Sequence, residues 1–425
     1  MKQDLIEQAK AVMRKNDCGT YTVPTHGLYP FQWNWDSALV ALGFACYDED
    51  RAWTEIETLL AHQWEDGMVP HIVFHKHDDG YFPGPDVWRT GRAVPTTGIT
   101  QPAVAGFALR RILDRSSNPE RFRERARAAV RKIHAWHDWF YRTRDPQQTG
   151  LVALIHPWEA GRDNSIDWDD AFTRVPTDGV EPFKRRDTSH ANPAHRPTDE
   201  QYKRYIYLVQ LFRSLNWDTA KLHDASPFRV VDPGFNAILI RACSDVADLA
   251  DWLGEGQIAR QSRDFAAKGI AAMETLWSDK LGQYLCFDRV SNTLVQGASV
   301  GGIMAAFCAI PAARAAALAQ RVRALAEQVE YLLPSHDPRE PGFDSKRYWR
   351  GPVWLIVNYM VADGLRAAGE TAVADQIETD SLRLIDKGGF AEYYDPMTGE
   401  PCGGGSFTWT AAMVIEMLSA RRVAA

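Results

Sequence analysis

His156-Pro157-Trp158-Glu159-Ala160-Gly161-Arg162-Asp163-Asn164-Ser165, with Asp167-Trp168-Asp169-Asp170 close behind, is the stretch around which the chain is read. From Trp158 to Asp170, thirteen residues hold five carboxylates and two tryptophans. The apolar run Leu151-Val152-Ala153-Leu154-Ile155 precedes it, and Pro157 and Gly161 interrupt it. That pattern describes a loop leaving a buried element. Carboxylates beside indole rings suit sugar chemistry. An indole face packs on the C–H face of a pyranose and lowers the local dielectric. A carboxyl group there stays protonated near neutrality and can donate to a leaving oxygen. The same residues also read as an acidic surface loop anchored by buried tryptophans.

The surrounding chain sets bounds on what such a loop can belong to. Its 425 residues are 45% hydrophobic and 24% charged, enough for a large core in one big barrel or two to three domains. A net charge of −7 with no basic tract argues against nucleic acid and anionic membranes as partners. No apolar run reaches the length of a membrane span, and the amphipathic start Met1-Lys2-Gln3-Asp4 does not read as a signal peptide. The six cysteines are scattered, without a C-x-x-C pair, as expected of reduced thiols in a cytoplasm.

Outward from the loop the chain reads as helix after helix. Helical patterns are expected over 1–15, 36–47, 51–66, 97–115 and onward from Asn118-Pro119, where Phe122, Ala126, Ala129, Val130 and Ile133 mark a buried face. Thr198 and Gln201 form a capping box for a helix burying Tyr202, Tyr205, Ile206, Val209 and Phe212. Further helices fit 233–253, stopped by Gly254, then 256–278, 297–308, 311–330, 351–369, 370–386 and 408–422, with a hairpin over 282–295. Strands do not alternate with helices, so a parallel α/β sheet is not expected. Paired antiparallel helices with aromatic loops at one end predict a closed double ring. A solenoid of helix pairs would need a recurring period, and none is found.

The loops 29–36, 71–89, 156–170 and 388–407, with 344–354, each place Trp or Tyr beside charged groups. Five such loops point to one shared pocket. The long loop 67–96 and the segment 173–197, which has no apolar period, are expected over that pocket. His71, His75 and His77 have metal-like spacing, but Pro70 and Asp78-Asp79-Gly80 flank them and no partner motif stands nearby, so they read as polar loop residues. Gly403-Gly404-Gly405 lacks the G-K-[ST] of a phosphate loop and reads as room for close backbone approach to a sugar. Asp167, Asp169 and Asp170 read as caps or ion-pair partners. No motif requires a cofactor or a metal.

The motifs resemble glycoside hydrolase family 63 and its trehalase-like relatives. Trp158-Glu159-Ala160-Gly161-Arg162-Asp163-Asn164-Ser165 is similar to the family's general-acid loop, which implies Asp163 as the acid. Glu392-Tyr393-Tyr394-Asp395, then Gly403–Gly405 and Phe407-Thr408-Trp409-Thr410, resembles the general-base segment and implies Glu392 as the base. Tyr348-Trp349-Arg350-Gly351-Pro352-Val353-Trp354 and Phe31-Gln32-Trp33-Asn34-Trp35-Asp36-Ser37 resemble two further elements, which implies Trp33, Asp36, Tyr348, Trp349 and Trp354 at the sugar. Gln101, Trp158 and Gly161 join them by the same resemblance. It covers nearly the whole chain as one domain, 1–425, and is nearest the short members that hydrolyse mannosylglycerate or glucosylglycerate. In that subgroup Tyr29, Tyr81, Arg196 and Tyr202 fall at pocket positions. The family implies an all-α fold, an (α/α)6 barrel, and inversion at the anomeric carbon. The subgroup carries Gln near the position where this chain has Ser406.

The residue chemistry agrees. Inverting hydrolysis needs two carboxyls about 6.5–9.5 Å apart, with water between base and sugar. A glycerate leaving group asks for a guanidinium, and Arg196 sits just before the helix capped by Thr198, where a helix N-terminus could assist. Three readings follow: an inverting α-glycosidase for a small glycosylated acid, a related enzyme for a neutral di- or oligosaccharide, and a non-catalytic sugar-binding helical protein. Asp163 with Glu392 favours the first two over the third. Arg196 with Tyr81 and Tyr202 favours the first over the second.

Overall fold

The computed structural model describes residues 2–187 and 192–423. Among these, six helical elements close an inner ring: α2 (Asn34–Ala45), α4 (Ala105–Arg115), α7 (Pro233–Leu253), α9 (Val300–Ile303, continuing as a 3₁₀ turn to Phe307), α11 (Leu355–Ala367) and α13 (Thr408–Val423). Each packs on the next, and α13 returns to α2. Outside them, α3 (Glu49–Ala61) packs on α2, α5 (Arg123–Arg144) on α4, α8 (Gly256–Met273) on α7 and α12 (Thr371–Gly388) on α11. α10 (Ala312–Ala326) packs on α12, and α1 (Lys2–Asn16) closes the outer ring against α13. The first and last helices of the chain are therefore partners. This is an (α/α)6 barrel.

The sequence separates the two rings. Every residue of α2 from Asn34 to Phe44 is buried, as is the run Pro233–Ile240 of α7. A helix apolar all round belongs inside. The outer α3, α5 and α8 are amphipathic and bury one face. Small residues let the inner helices touch. A Cβ on Gly364 would lie 2.0 Å from the Ala306 carbonyl oxygen, and one on Gly43 2.8 Å from Ala412. One continuous apolar core runs from Ile6 to Leu418. Among the described residues no helix is long and apolar enough to cross a membrane.

Several expected boundaries shift, each for a local reason. The helix expected from 97 begins at Ala105. Pro102 disfavours the helical region for Gln101, and the Thr97 amide instead bonds the Ile72 carbonyl at 3.1 Å. Asn118 gives no side-chain cap, and Pro119–Phe122 forms a 3₁₀ turn ahead of α5. α8 stops at Met273, and Trp277–Ser278 pairs with Gln283–Tyr284. The expected 282–295 hairpin is thus split: Phe287–Asp288 pairs with Thr293–Leu294. α11 begins only at Leu355, after Pro352. The short helix Thr219–Ala225 was not expected. Gly254 does stop α7 in a left-handed turn, at φ 78°.

Between α5 and α7 the chain inserts α6 (Asp199–Ser214), closed by the Thr198–Gln201 capping box. α6 packs on the turn Pro85–Trp88 of the first long loop. Phe82 stacks on Phe183 of the second, with ring centroids 5.3 Å apart. The two long loops therefore meet; residues 188–191 of the second lie outside the described residues.

Candidate active site

The chemically loaded loops run into the N-terminal ends of inner helices, so the ring gathers them at one end. Trp33 to Asp36 enter α2, Gln101 precedes α4, Tyr348 to Trp354 lead into α11, and the Glu392 to Phe407 segment leads into α13. Around that end lies a cavity of about 930 Å³ including its mouth, within the size range of small-ligand sites. Tyr29, Trp33, Asp36, Tyr81, Gln101, Trp158, Gly161, Asp163, Arg196, Tyr202, Tyr348 and Glu392 all line it. Trp349 and Trp354 do not. They stack on each other at 3.9 Å, and Trp354 stacks on Tyr393. This pair backs the wall and does not face the cavity.

Asp163 stands at this cavity. Its loop is held by buried bonds made by its neighbours. His156 accepts from the Trp158 amide at 3.1 Å, and Glu159 pairs with buried Arg144 at 2.9 Å. Tyr205 donates to the Asp163 carbonyl at 2.9 Å. Gly161 has φ 71°, and a Cβ there would press on the Trp35 ring at 2.6 Å. Burial raises the Asp163 carboxyl to about 7; the Arg196 charge opposes this and the Glu392 charge adds to it. Asp163 is therefore substantially protonated at neutral pH.

In the same cavity Glu392 is also raised by burial, but it is ringed by groups that favour its anion: Arg196, the Gly404 amide, Tyr29 and Tyr348. The Gly404 amide donates to Oε2 at 2.9 Å and the Tyr29 hydroxyl to Oε1 at 3.0 Å. Gly403 and Gly404 serve this residue, and none of the three glycines lines the cavity. A Cβ on Gly403 would lie 2.2 Å from Glu392 Oε2. Unlike environments around two carboxyls are what divides acid from base. Asp36 is a third buried carboxyl, pushed well up by burial and by the nearby Glu392 and Asp163 charges.

Arg196 lies over Tyr348, its guanidinium carbon 4.2 Å from the ring centroid. Its Nη1 donates to the Tyr29 hydroxyl at 3.2 Å and its Nε to Asp187 at 3.1 Å. Burial pushes the Asp187 carboxyl up, but the Arg185 and Arg196 guanidiniums outweigh it and hold Asp187 below the usual range. The first turn of α6 brings the Tyr202 side chain to the cavity, while the Thr198 and Gln201 amides are taken up by their reciprocal capping bonds. Ser406 turns away: its carbonyl accepts from Asn16 and its hydroxyl from Lys15.

Asp187, Trp35, His71, Trp88, Phe407 and Trp409 line the cavity without having been expected there. Trp35 and Trp409 stood inside the quoted motifs. Asp187 sits in a loop with no pattern to mark it. The three histidines part company. His71 faces the cavity and is held neutral by burial, with a pKa near 3. His75 bonds Gln32 and stacks on Tyr21, and exposed His77 bonds Asp79. Among the described residues no three His, Cys, Asp or Glu side chains gather as a metal site. Asp167 pairs with Arg162 and Asp169 with Arg350, one of the two roles expected of them.

Residues 29–410 match the mannosylglycerate hydrolase MGH1-like glycoside hydrolase domain. The chain is 46% identical to mannosylglycerate hydrolase MGH1 of Selaginella moellendorffii, over 98% of this chain and 86% of that one. It is 33% identical to the glucosylglycerate hydrolase of Mycolicibacterium hassiacum, over 97% of each. The crystal structure of the family 63 mannosylglycerate hydrolase of Thermus thermophilus with Tris and D-glycerate superposes with a TM-score of 0.94, at 45% identity over 97% of this chain and 99% of that one. The same relative has been solved with glucose. With this likeness extending over both carboxylate loops and all six inner helices, the chain belongs to the MGH1-like glycoside hydrolases of family 63.

Proposed function

We propose that this protein hydrolyses a small α-glycoside of glycerate, mannosylglycerate or glucosylglycerate, with inversion at the anomeric carbon. The observation that carries the reading is the pair Asp163 and Glu392 in one buried cavity, the first raised to about 7 and the second ringed by donors to its anion. Asp163 donates its proton to the glycosidic oxygen as the bond to the anomeric carbon breaks. Glu392 takes a proton from the water that attacks the opposite face. The products are the free sugar, first formed as its β-anomer, and glycerate. Such a pair works with its carboxyls about 6.5–9.5 Å apart.

Trp33, Asp36, Gln101, Trp158 and Gly161 are assigned to the glycone. Tyr81, Arg196 and Tyr202 are assigned to the acidic leaving group, because a guanidinium with nearby hydroxyls suits a carboxylate, while Tyr29 gives its hydroxyl proton to Glu392. Relatives named for both glycosylglycerates, and one solved with D-glycerate, support that leaving group. The test is a panel of mannosylglycerate, glucosylglycerate, trehalose and α-linked glucobioses with product detection. Turnover confined to the glycerates supports the assignment. Faster turnover of a neutral disaccharide overturns it in favour of a trehalase-like or α-glucosidase activity.

A further inference from the structure

Arg162 and Asp163 are consecutive, yet only Asp163 lines the cavity. Arg162 is 1% exposed, inside the barrel wall. Its Nη2 donates to Asp167 at 3.1 Å and to Asp232 at 3.0 Å. Its Nη1 donates to Ser165 at 3.1 Å and to Ser299 at 3.4 Å, and the guanidinium lies 4.9 Å from the Trp168 ring centroid. Two of these partners are helix caps. Asp232 caps α7 by accepting from the Gly234 amide at 3.0 Å. Ser299 caps α9 by accepting from the Gly301 amide at 3.2 Å. The space is kept for the guanidinium, since a Cβ on Gly301 would fall 2.2 Å from Arg162 Nη2.

We propose that Arg162 is the positioning residue for the acid: it fastens the Asp163 loop to the N-terminal caps of two inner helices, so the barrel frame sets where the Asp163 carboxyl stands. A planar guanidinium reaches two carboxylates and two hydroxyls at once, which a lysine ammonium cannot do in one plane. Asp163 itself touches none of these groups through its side chain, so the loop backbone carries the effect. The inference rests on Asp163 being the acid.

The help an acid gives grows with the basicity of the leaving group. The alkoxide of glycerate needs a proton; fluoride departs without one. Misplacing a catalytic group by about 1 Å costs on the order of 10²-fold. Arg162→Lys should therefore lower kcat on the glycosylglycerate by about that factor while KM changes little, and should hydrolyse the matching α-glycosyl fluoride at close to the wild-type rate. Ser299→Ala, which keeps the guanidinium and its carboxylate partners, should show the same selectivity at smaller size and stands in if the lysine variant does not fold. Equal loss on both substrates in either folded variant overturns the proposal. Asp163→Asn is the control. If it too loses both substrates equally, the acid assignment has failed. If it is selective and Arg162→Lys is not, only the positioning role has failed.

Discussion

The Tyr29 hydroxyl donates to Glu392 Oε1 at 3.0 Å while it accepts from Arg196 Nη1 at 3.2 Å. The pocket guanidinium thus reaches the base through one phenol. Donation to the carboxylate favours its ionised form and holds Glu392 below where burial alone would put it. Tyr29→Phe removes that donor. Hydrogen bonds to a charged group contribute about 1.5–3 kcal/mol, so the acidic limb of the pH–rate profile should move up by about one to two units. An unmoved acidic limb would mean that the phenol does not tune the base.

Asp163 gives a second pH dependence, of opposite sense. Its proton is needed for catalysis, so kcat should fall as pH rises through about 7. The two limbs report the coupled pair together. Stability follows the same proton. The folded state keeps it to about pH 7, whereas the unfolded chain releases it near 3.8. Between those values the folded state binds more protons, and stability falls as pH rises. Asp163→Asn carries no such charge, so its Tm should exceed that of the wild type at pH 8 and match it near pH 4. A Tm difference that is the same at both pH values would show that Asp163 is not held protonated by the fold.

Arg196 joins two functions that substrate choice can separate. Arg196→Ala should weaken kcat/KM for any substrate through Tyr29 and Glu392. It should weaken the glycosylglycerate further, by several kcal/mol relative to the uncharged glycosylglycerol, because the glycerate carboxylate is left unpaired in a buried site. Arg196→Lys should recover only part of that difference. If both substrates suffer equally, Arg196 supports the base and does not read the leaving group.

Gly403 has φ 72° and no room for a side chain beside Glu392. Gly403→Ala should cost about 1–2 kcal/mol of backbone strain and displace the Glu392 carboxyl. Activity should fall by a much larger factor than the change in Tm explains. An alanine variant that melts lower yet turns over normally would show that the base does not depend on this contact.

Much of this site was legible in the sequence, for physical reasons. Asp163, Glu392 and Trp33, with Asp36 in the first turn of α2, stand where aromatic and charged residues crowd together, a pattern that solvated loops do not need. The inner helices α2 and α11 announce themselves as apolar runs with almost no polar face. Pattern does not fix direction, however. Trp349 and Trp354 carry the same motif signal as Tyr348, but the chain turns them into the wall. Tyr348 itself sits at φ 31°, a local twist with no sequence signature. Asp187 is one acid among many in a loop without period, and only the fold brings it to Arg196. The apolar pattern runs through Gln101 and draws it into a helix on paper. Pro102 and the pairing around Thr97 hold it extended, and so bring it to the cavity.

The central claim is that Asp163 and Glu392 act as an inverting pair across one cavity. Proton NMR of the first sugar released from an α-linked glycosylglycerate tests it most directly, recorded before mutarotation mixes the anomers. The β-anomer should appear first. Initial release of the α-anomer would indicate a retaining mechanism and contradict the account.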